Sequence, residues 1–367
     1  MSIVKKPILL DETGKDIVAH MRTKTALLSA IARESINALT SWKDIQAIVR
    51  QGFAPEIFHI GDQFIVSWKG VAADKTYEVP LDIVHFGDVE LKDGSVVPAM
   101  FLQWHYATPF DVQFDHPENR QPSESFFLSD YYYYKAYTAS DGSTRYKLLV
   151  TGTDYAIGDP IPGSKLYYHS SIKDTSGGVV QYGYNRWSHS AIRQFLNSAE
   201  GVNKWWTAQH LGDVAPDQLA TKAGFMTGFE EDFLSCLNPI KVTTVLNTVT
   251  DTAIGTTEDT YDTFFLPSLE QMYAKPQLAG VEGDYFEYWK RATGATEPNE
   301  WYEDGRNPGY ITYGIDAKMS PQNVHLRSAA REYSFGAWFV DARGRVGSHN
   351  VSDAYYVGRY TPVCAIC

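Results

Sequence analysis

The sequence predicts an α+β fold in which a short helical segment precedes a strand-rich body. Three observations carry that expectation. Apolar residues recur at three-to-four spacing over residues 13–51. Short alternating runs separated by turn residues follow from Phe53, and the end of the chain is again strand-like. Strands at both ends with helices between them argue against a repeated βαβ architecture.

Each element has a local reason. Ile17, Val18, Met21, Thr25, Leu28, Ile31 and Ala32 make one apolar stripe. A second helix starts at Thr40 or Ser41, carries Trp42, Ile45, Ile48 and Val49, and ends at Gly52. This segment, residues 1–51, either packs on its own domain or meets identical helices in an oligomer. Residues 60–68, 77–86 and 99–106 read as strands, with Lys92-Asp93-Gly94-Ser95 as a turn. Residues 126–137 and 146–149 suggest a hairpin. Short helices are expected over 188–197, 229–237 and 266–273, the last capped by Ser268. Residues 336–341 and 362–366 are expected strands, separated by a turn at Ala342-Arg343-Gly344.

Composition narrows the function. The 367 residues are 44% hydrophobic and 21% charged, sufficient for a substantial core. A net charge of -12 without a run of Lys and Arg argues against nucleic acid, whose phosphates require clustered cations. Aromatic residues make up 14%, including 24 Tyr. Tyrosine suits both sheets and recognition surfaces, because it offers a rigid face with few rotors to freeze. No apolar stretch is long enough to span a bilayer, and the first residues lack the layout of a secretory signal.

Catalytic motifs for phosphate binding, dinucleotide binding, zinc hydrolysis and the nucleophile elbow are missing from the sequence. Cys364 and Cys367 form a C-x-x-C with no second pair to complete a zinc site, and they read as small apolar residues of a last strand. Glu230, Glu231 and Asp232 read as the acidic start of a helix. Glu258, Asp259 and Asp262 offer oxygen ligands for calcium, but without the spacing of an EF-hand loop. No cofactor is expected.

An ordered set of phrases carries a resemblance. These are Tyr184-Asn185-Arg186-Trp187-Ser188, Ile192-Arg193-Gln194-Phe195-Leu196-Asn197, Phe264-Phe265-Leu266-Pro267-Ser268, Leu326-Arg327-Ser328-Ala329, Ala337-Trp338-Phe339-Val340-Asp341 and Pro362-Val363-Cys364-Ala365-Ile366. Together they resemble bacterial and phage proteins with a C-type-lectin-like fold. That fold is shared by formylglycine-generating enzymes and by the variable proteins of diversity-generating retroelements. The opening phrase, Ile3-Val4-Lys5-Lys6-Pro7-Ile8-Leu9-Leu10-Asp11, is similar to the start of gut-phage structural proteins. The resemblance implies a C-type-lectin-like domain with β-rich insertions over residues 52–367. Its variable region would cover about 330–367, behind an N-terminal assembly segment.

In the retroelement branch a reverse transcriptase mutates adenines, and AAC codons diversify most. Such mutagenesis leaves the third base C and cannot produce Lys, Glu, Gln, Trp or Met. None of the five occurs over residues 339–367. Glu332 cannot arise this way and is expected to be a fixed neighbour of the first variable loop. The resemblance therefore implies a ligand-binding surface built from Tyr333, Ser334, His349, Asn350, Ser352, Asp353, Tyr355, Tyr356, Arg359 and Tyr360. Arg327, Trp338 and Asp341 would be its scaffold. The implied function is a non-catalytic phage or prophage receptor-binding protein, carried on the virion as a homo-oligomer, with a trimer favoured. Its partners would be a host surface protein or glycan and other virion proteins. A structural virion protein without a receptor role is the alternative. A formylglycine-generating activity is disfavoured, because Cys236, Cys364 and Cys367 do not fall in that branch's motif.

Overall fold

The computed structural model describes residues 41–70, 75–115, 134–138, 144–148, 185–207, 209, 215–248, 251, 254–301, 306–332, 336–350 and 358–367. It is a mixed, strand-rich α+β structure. The expected helical stripe over 13–40 lies outside the described residues.

Helix α1 (Trp42–Arg50) begins where the sequence places a cap. The Ser41 side chain accepts from the Asp44 N–H, and Gly52 leaves the helix with φ +74. Ile45 and Val49 are buried, and the Trp42 ring packs on Phe64 and Phe233 at 5.4 and 4.7 Å. Gln46 Nε2 donates to Cys367 O at 2.7 Å and to Cys236 O at 3.2 Å. α1 therefore belongs to the body of the protein, and a domain boundary at residue 51 would cut through the core. The short helix α2 (Ala54–Ile57) continues that layer.

The central sheet is antiparallel. Strands β1 (Gln63–Lys69), β2 (Thr76–Glu90) and β3 (Val96–Trp104) form a meander, with the Leu91–Ser95 turn joining the last two. Strands β4 (Tyr134–Thr138) and β5 (Thr144–Leu148) pair as a separate hairpin. Helices α3 (Ala191–Leu196), α4 (Asp217–Ala220) and α5 (Glu231–Leu234) are one or two turns each. Strands β6 (Ile240–Val245) and β7 (Thr257–Asp262) make a second antiparallel pair, and β8 (Phe264–Phe265) follows directly. Helix α6 (Glu287–Thr293) precedes the pair β9 (Thr312–Gly314) and β10 (Ala317–Gln322). Strands β11 (Val324–Ala329), β12 (Gly336–Val340) and β13 (Val346–Asn350) form a three-stranded sheet.

The final strand, β14 (Val363–Ile366), inserts between β3 and β8, giving the order β1-β2-β3-β14-β8. Val363 pairs with Gln103 on one side and Phe265 on the other, so the end of the chain completes a sheet begun near residue 63. Every residue of β14 is buried, which explains its unbroken apolar run. The outer edge of β8 is closed by an amide side chain: Asn197 Oδ1 accepts from the N–H groups of Thr263 and Phe264, and its Nδ2 donates to Phe264 O. Trp68, Trp104, Phe225 and Phe229 interlock at 5.1–6.4 Å to fill the core on one face.

Residues 266–273, expected as a helix, form turns instead. Ser268 does cap, accepting from Gln271 N at 3.1 Å, but Tyr273 takes a left-handed φ of +55 and stops propagation. Pro267 and the buried contacts of Leu266, Leu269 and Met272 override the local helical pattern. Among the described residues no helix is long and apolar enough to cross a membrane.

Candidate functional site

Pairing within β11-β12-β13 positions the expected recognition surface. Ala329 pairs with Ala337, and Gly336 pairs with Asn350. The end of β11, the start of β12 and the end of β13 therefore lie side by side. Ala330, Gly336 and Asn350 thus come together at this one end, and the described chain resumes at Gly358 and Arg359, which bridge Val112 and Val324. Tyr333, Ser334, Ser352, Asp353, Tyr355 and Tyr356 lie outside the described residues. The backbones of His349 and Asn350 sit at the loop-bearing end, opposite Ala337 and Gly336.

Buried amides pin that end. Asn185 is fully buried, and its Nδ2 donates to Gly336 O at 2.7 Å and Ala330 O at 3.1 Å. Its Oδ1 accepts from Asn247 Nδ2, which also donates to Asp251. Thr248 donates its N–H and its hydroxyl to Arg331 O, both at 2.8 Å. Gln277 Oε1 accepts from Arg331 N at 2.7 Å and from Trp338 Nε1 at 3.4 Å. Trp338 is itself buried and packs against Trp301 at 4.8 Å between centroids. The loop from Ala330 thus starts and finishes on a backbone tied to three other parts of the chain. Buried carbonyls held by amides of this kind resist fraying, because freeing them leaves polar groups without water. Asn185 falls in a phrase prominent in the sequence. Asn247 and Gln277 carry no local signal for this role, since Asn247 reaches Asn185 62 positions away and Gln277 reaches Arg331 and Trp338 54 and 61 positions away.

The remaining scaffold residues hold the sheet from below and from its opposite end. Arg327 is 1% exposed, and its guanidinium donates to Leu266 O, Gln271 Oε1, Thr243 O and Glu282 O. Burial pushes its pKa down to about 10, with the Glu282 charge opposing the fall. Glu282 accepts from Ser328 Oγ and Val245 N, while burial pushes its carboxyl up. Asp341 organises the β12–β13 turn by accepting from the N–H groups of Arg343 and Arg345 and from Arg345 Nε. Gly344 completes the turn with φ +75, where a Cβ would meet Asn307 O at 2.3 Å.

Two expected surface residues are interior instead. Arg359 donates to Asp111 at 3.2 Å and pairs with Asp316, and its backbone N and O bond Asn323 and His325. Tyr360 is fully buried, with its ring edge-on to Phe110 at 5.8 Å. Arg359 bridges Val324 directly after the Gly358–Val112 bridge and Tyr360 follows it, so these two residues are packed inside and are not surface residues. Arg and Tyr are compatible with either setting in sequence, because each combines an apolar body with a polar tip. Glu332, the expected fixed neighbour, is exposed at the edge of the loop.

The other chemical candidates are occupied. In strand β7 pleat alternation puts Asp259 on the face opposite Glu258 and Asp262, and each acid has its own partners. Glu258 takes Arg186 and Ser188, Asp262 takes Arg193, Trp187 and Thr260, and Asp259 takes Lys241 and Thr243. They do not converge on one point, and no metal-holding group occurs among the described residues. Cys236, Cys364 and Cys367 are buried free thiols, and burial pushes all three up, away from the thiolate a reactive cysteine needs.

Residues 163–364 match a protein family described as a domain of unknown function (DUF6273). No curated protein and no solved structure matches.

Proposed function

This chain belongs to the DUF6273 family, a domain of unknown function, and we propose that it is a non-catalytic phage or prophage receptor-binding protein. The proposed scaffold is C-type-lectin-like, and the proposed binding surface is the variable loop pair at one end of β11-β12-β13. One observation carries the reading. The described residues that flank the expected recognition segments, Ala330 and Gly336 for the first and Asn350 for the second, sit at one end of the sheet, and the base of the first is tied down by Asn185, Thr248 and Gln277. Function on exchangeable loops requires a frame that does not change with them, and this arrangement supplies one. The return of β14 to the sheet begun by β1–β3 also supports the lectin-like assignment.

Tyr355 and Tyr356 would act as aromatic anchors on a host protein or glycan, with Asn350, Ser352 and Asp353 supplying directional polar contacts. Assembly through the N-terminal segment into a trimer would convert weak single sites into avid binding. The test is host-cell adsorption by the Tyr355→Ala/Tyr356→Ala variant, alongside native mass measurement. Adsorption is expected to fall at least about tenfold, the equivalent of about 1.4 kcal/mol, with the assembly mass unchanged. Undiminished adsorption would overturn the receptor role and favour a structural virion protein.

A further inference from the structure

A cleft of about 150 Å³ opens between the β2–β3 meander, α6 and β9. It is about half the size of the smallest pockets that hold drug-sized ligands, which start at about 300 Å³, so it has room for one small ring. A polar chain forms its floor: Trp289 Nε1 donates to Gln103 Oε1, and Gln103 Nε2 donates to Thr361 Oγ1, both at 2.9 Å.

His105 stands in the wall with Nδ1 2.8 Å from Asp82 Oδ2. Asp82 is 4% exposed, and its other oxygen accepts from Gln63 Nε2 at 2.8 Å. A buried carboxylate bound this way keeps the proton on Nδ1 and turns the opposite nitrogen, Nε2, away from the pair. Nε2 has no partner among the described residues. The charged and titratable neighbours come from three elements. Lys318 on β10 lies 5.0 Å over the Tyr106 ring and repels a proton on His105. Tyr288 on α6 is pushed up by burial and by the Asp82 charge, so it remains a neutral phenol. The hydrogen bond to Asp82 outweighs burial and Lys318 and raises the imidazole above its ordinary value. With His105 protonated, Asp82 balances one of the two cations and leaves one positive charge unmatched.

We propose that this cleft is a ligand site for a small carboxylate-bearing ring of the acidic-sugar class. The carboxylate is held by His105 Nε2 and Lys318 Nζ, and the ring lies against Tyr106 and Tyr313. Aromatic faces take the C–H surface of a sugar, while the floor offers hydroxyl partners. Because anion binding requires the protonated imidazole, affinity is linked to pH. None of these residues belongs to the recognition segments, so the Tyr355→Ala/Tyr356→Ala variant keeps the site and the two readings fail separately.

The full chain is titrated with glucuronate and with glucose by calorimetry, at about pH 5.5 and about pH 8, a range that spans histidine titration. Glucuronate is expected to bind at the lower pH and to weaken roughly tenfold at the higher, the scale of one lost charge contact. Lys318→Ala, a substitution on an exposed strand, weakens binding at both pH values. His105→Gln removes the pH dependence. Failure of glucuronate to bind at millimolar concentration, equal affinity for glucose, or unchanged binding by Lys318→Ala would each overturn the assignment.

Discussion

Replacing Asn185 tests the frame beneath the proposed recognition loop. Asn185→Ala removes at least three hydrogen bonds, but they are not equivalent. Gly336 O keeps the Ala330 N–H at 2.7 Å, and Asn247 Nδ2 keeps Asp251 at 3.0 Å, so these two losses cost about 1 kcal/mol each. Ala330 O loses its partner in a buried setting, which costs about 1–3 kcal/mol more. The expected destabilisation is about 3–5 kcal/mol. Asn185→Asp should be worse at neutral pH, because a carboxylate would face two carbonyl oxygens where an amide N–H₂ now donates. A carboxyl held that way has its folded pKa raised above the unfolded value. The Asp variant therefore regains stability as pH falls, whereas the Ala variant does not. Urea denaturation followed by tryptophan fluorescence measures both. With a slope of about 3 kcal/mol/M, the Ala variant shifts the midpoint by about 1 M or more. A shift below about 0.3 M, or an Asp variant as stable as Ala at neutral pH, would refute the role given to this amide.

Arg327→Met should cost about 3 kcal/mol or more in the same assay, because three buried acceptors and one part-buried carbonyl lose a cationic donor, and Arg327→Lys should not restore it since a single ammonium cannot span them. Gly344→Ala should lower thermal stability by more than about 1 kcal/mol, as a positive φ and a backbone oxygen 2.3 Å from the new Cβ act together. His105 should titrate above 6.5 by NMR. Its contribution to stability is fully present below 6.5 and is lost as pH rises through the folded pKa, and Asp82→Asn should bring the titration down and flatten that dependence.

Local chemistry made several elements legible. The α1 cap at Ser41, the Gly52 exit, the β1–β3 meander with its Asp93-Gly94 turn, and the apolar β14 all follow from short-range pattern. Strands β6 and β7 were less visible because their threonines and charges pair with partners elsewhere: Lys241 and Tyr261 reach Glu90, and Glu258 reaches Arg186. The alternation that marks a half-solvated strand is blurred when its polar face is satisfied by other parts of the protein.

The same division separates the parts of the proposed recognition surface. Codon-compatible residues over 339–367 and the aromatic phrases around Trp338 are properties of the sequence alone. That Ala330, Gly336 and Asn350 meet at one sheet end depends on strand order and register, and so does the burial of Arg359 and Tyr360 beside the Val112–Gly358 bridge. The Asp82–His105 pair, the Asn185–Asn247 amides and the Gln46 bond to Cys367 join residues 23 to 321 positions apart. Side-chain type sets what each residue can do. Whether an arginine meets solvent or a buried carboxylate is decided only when distant segments close around it and exclude water.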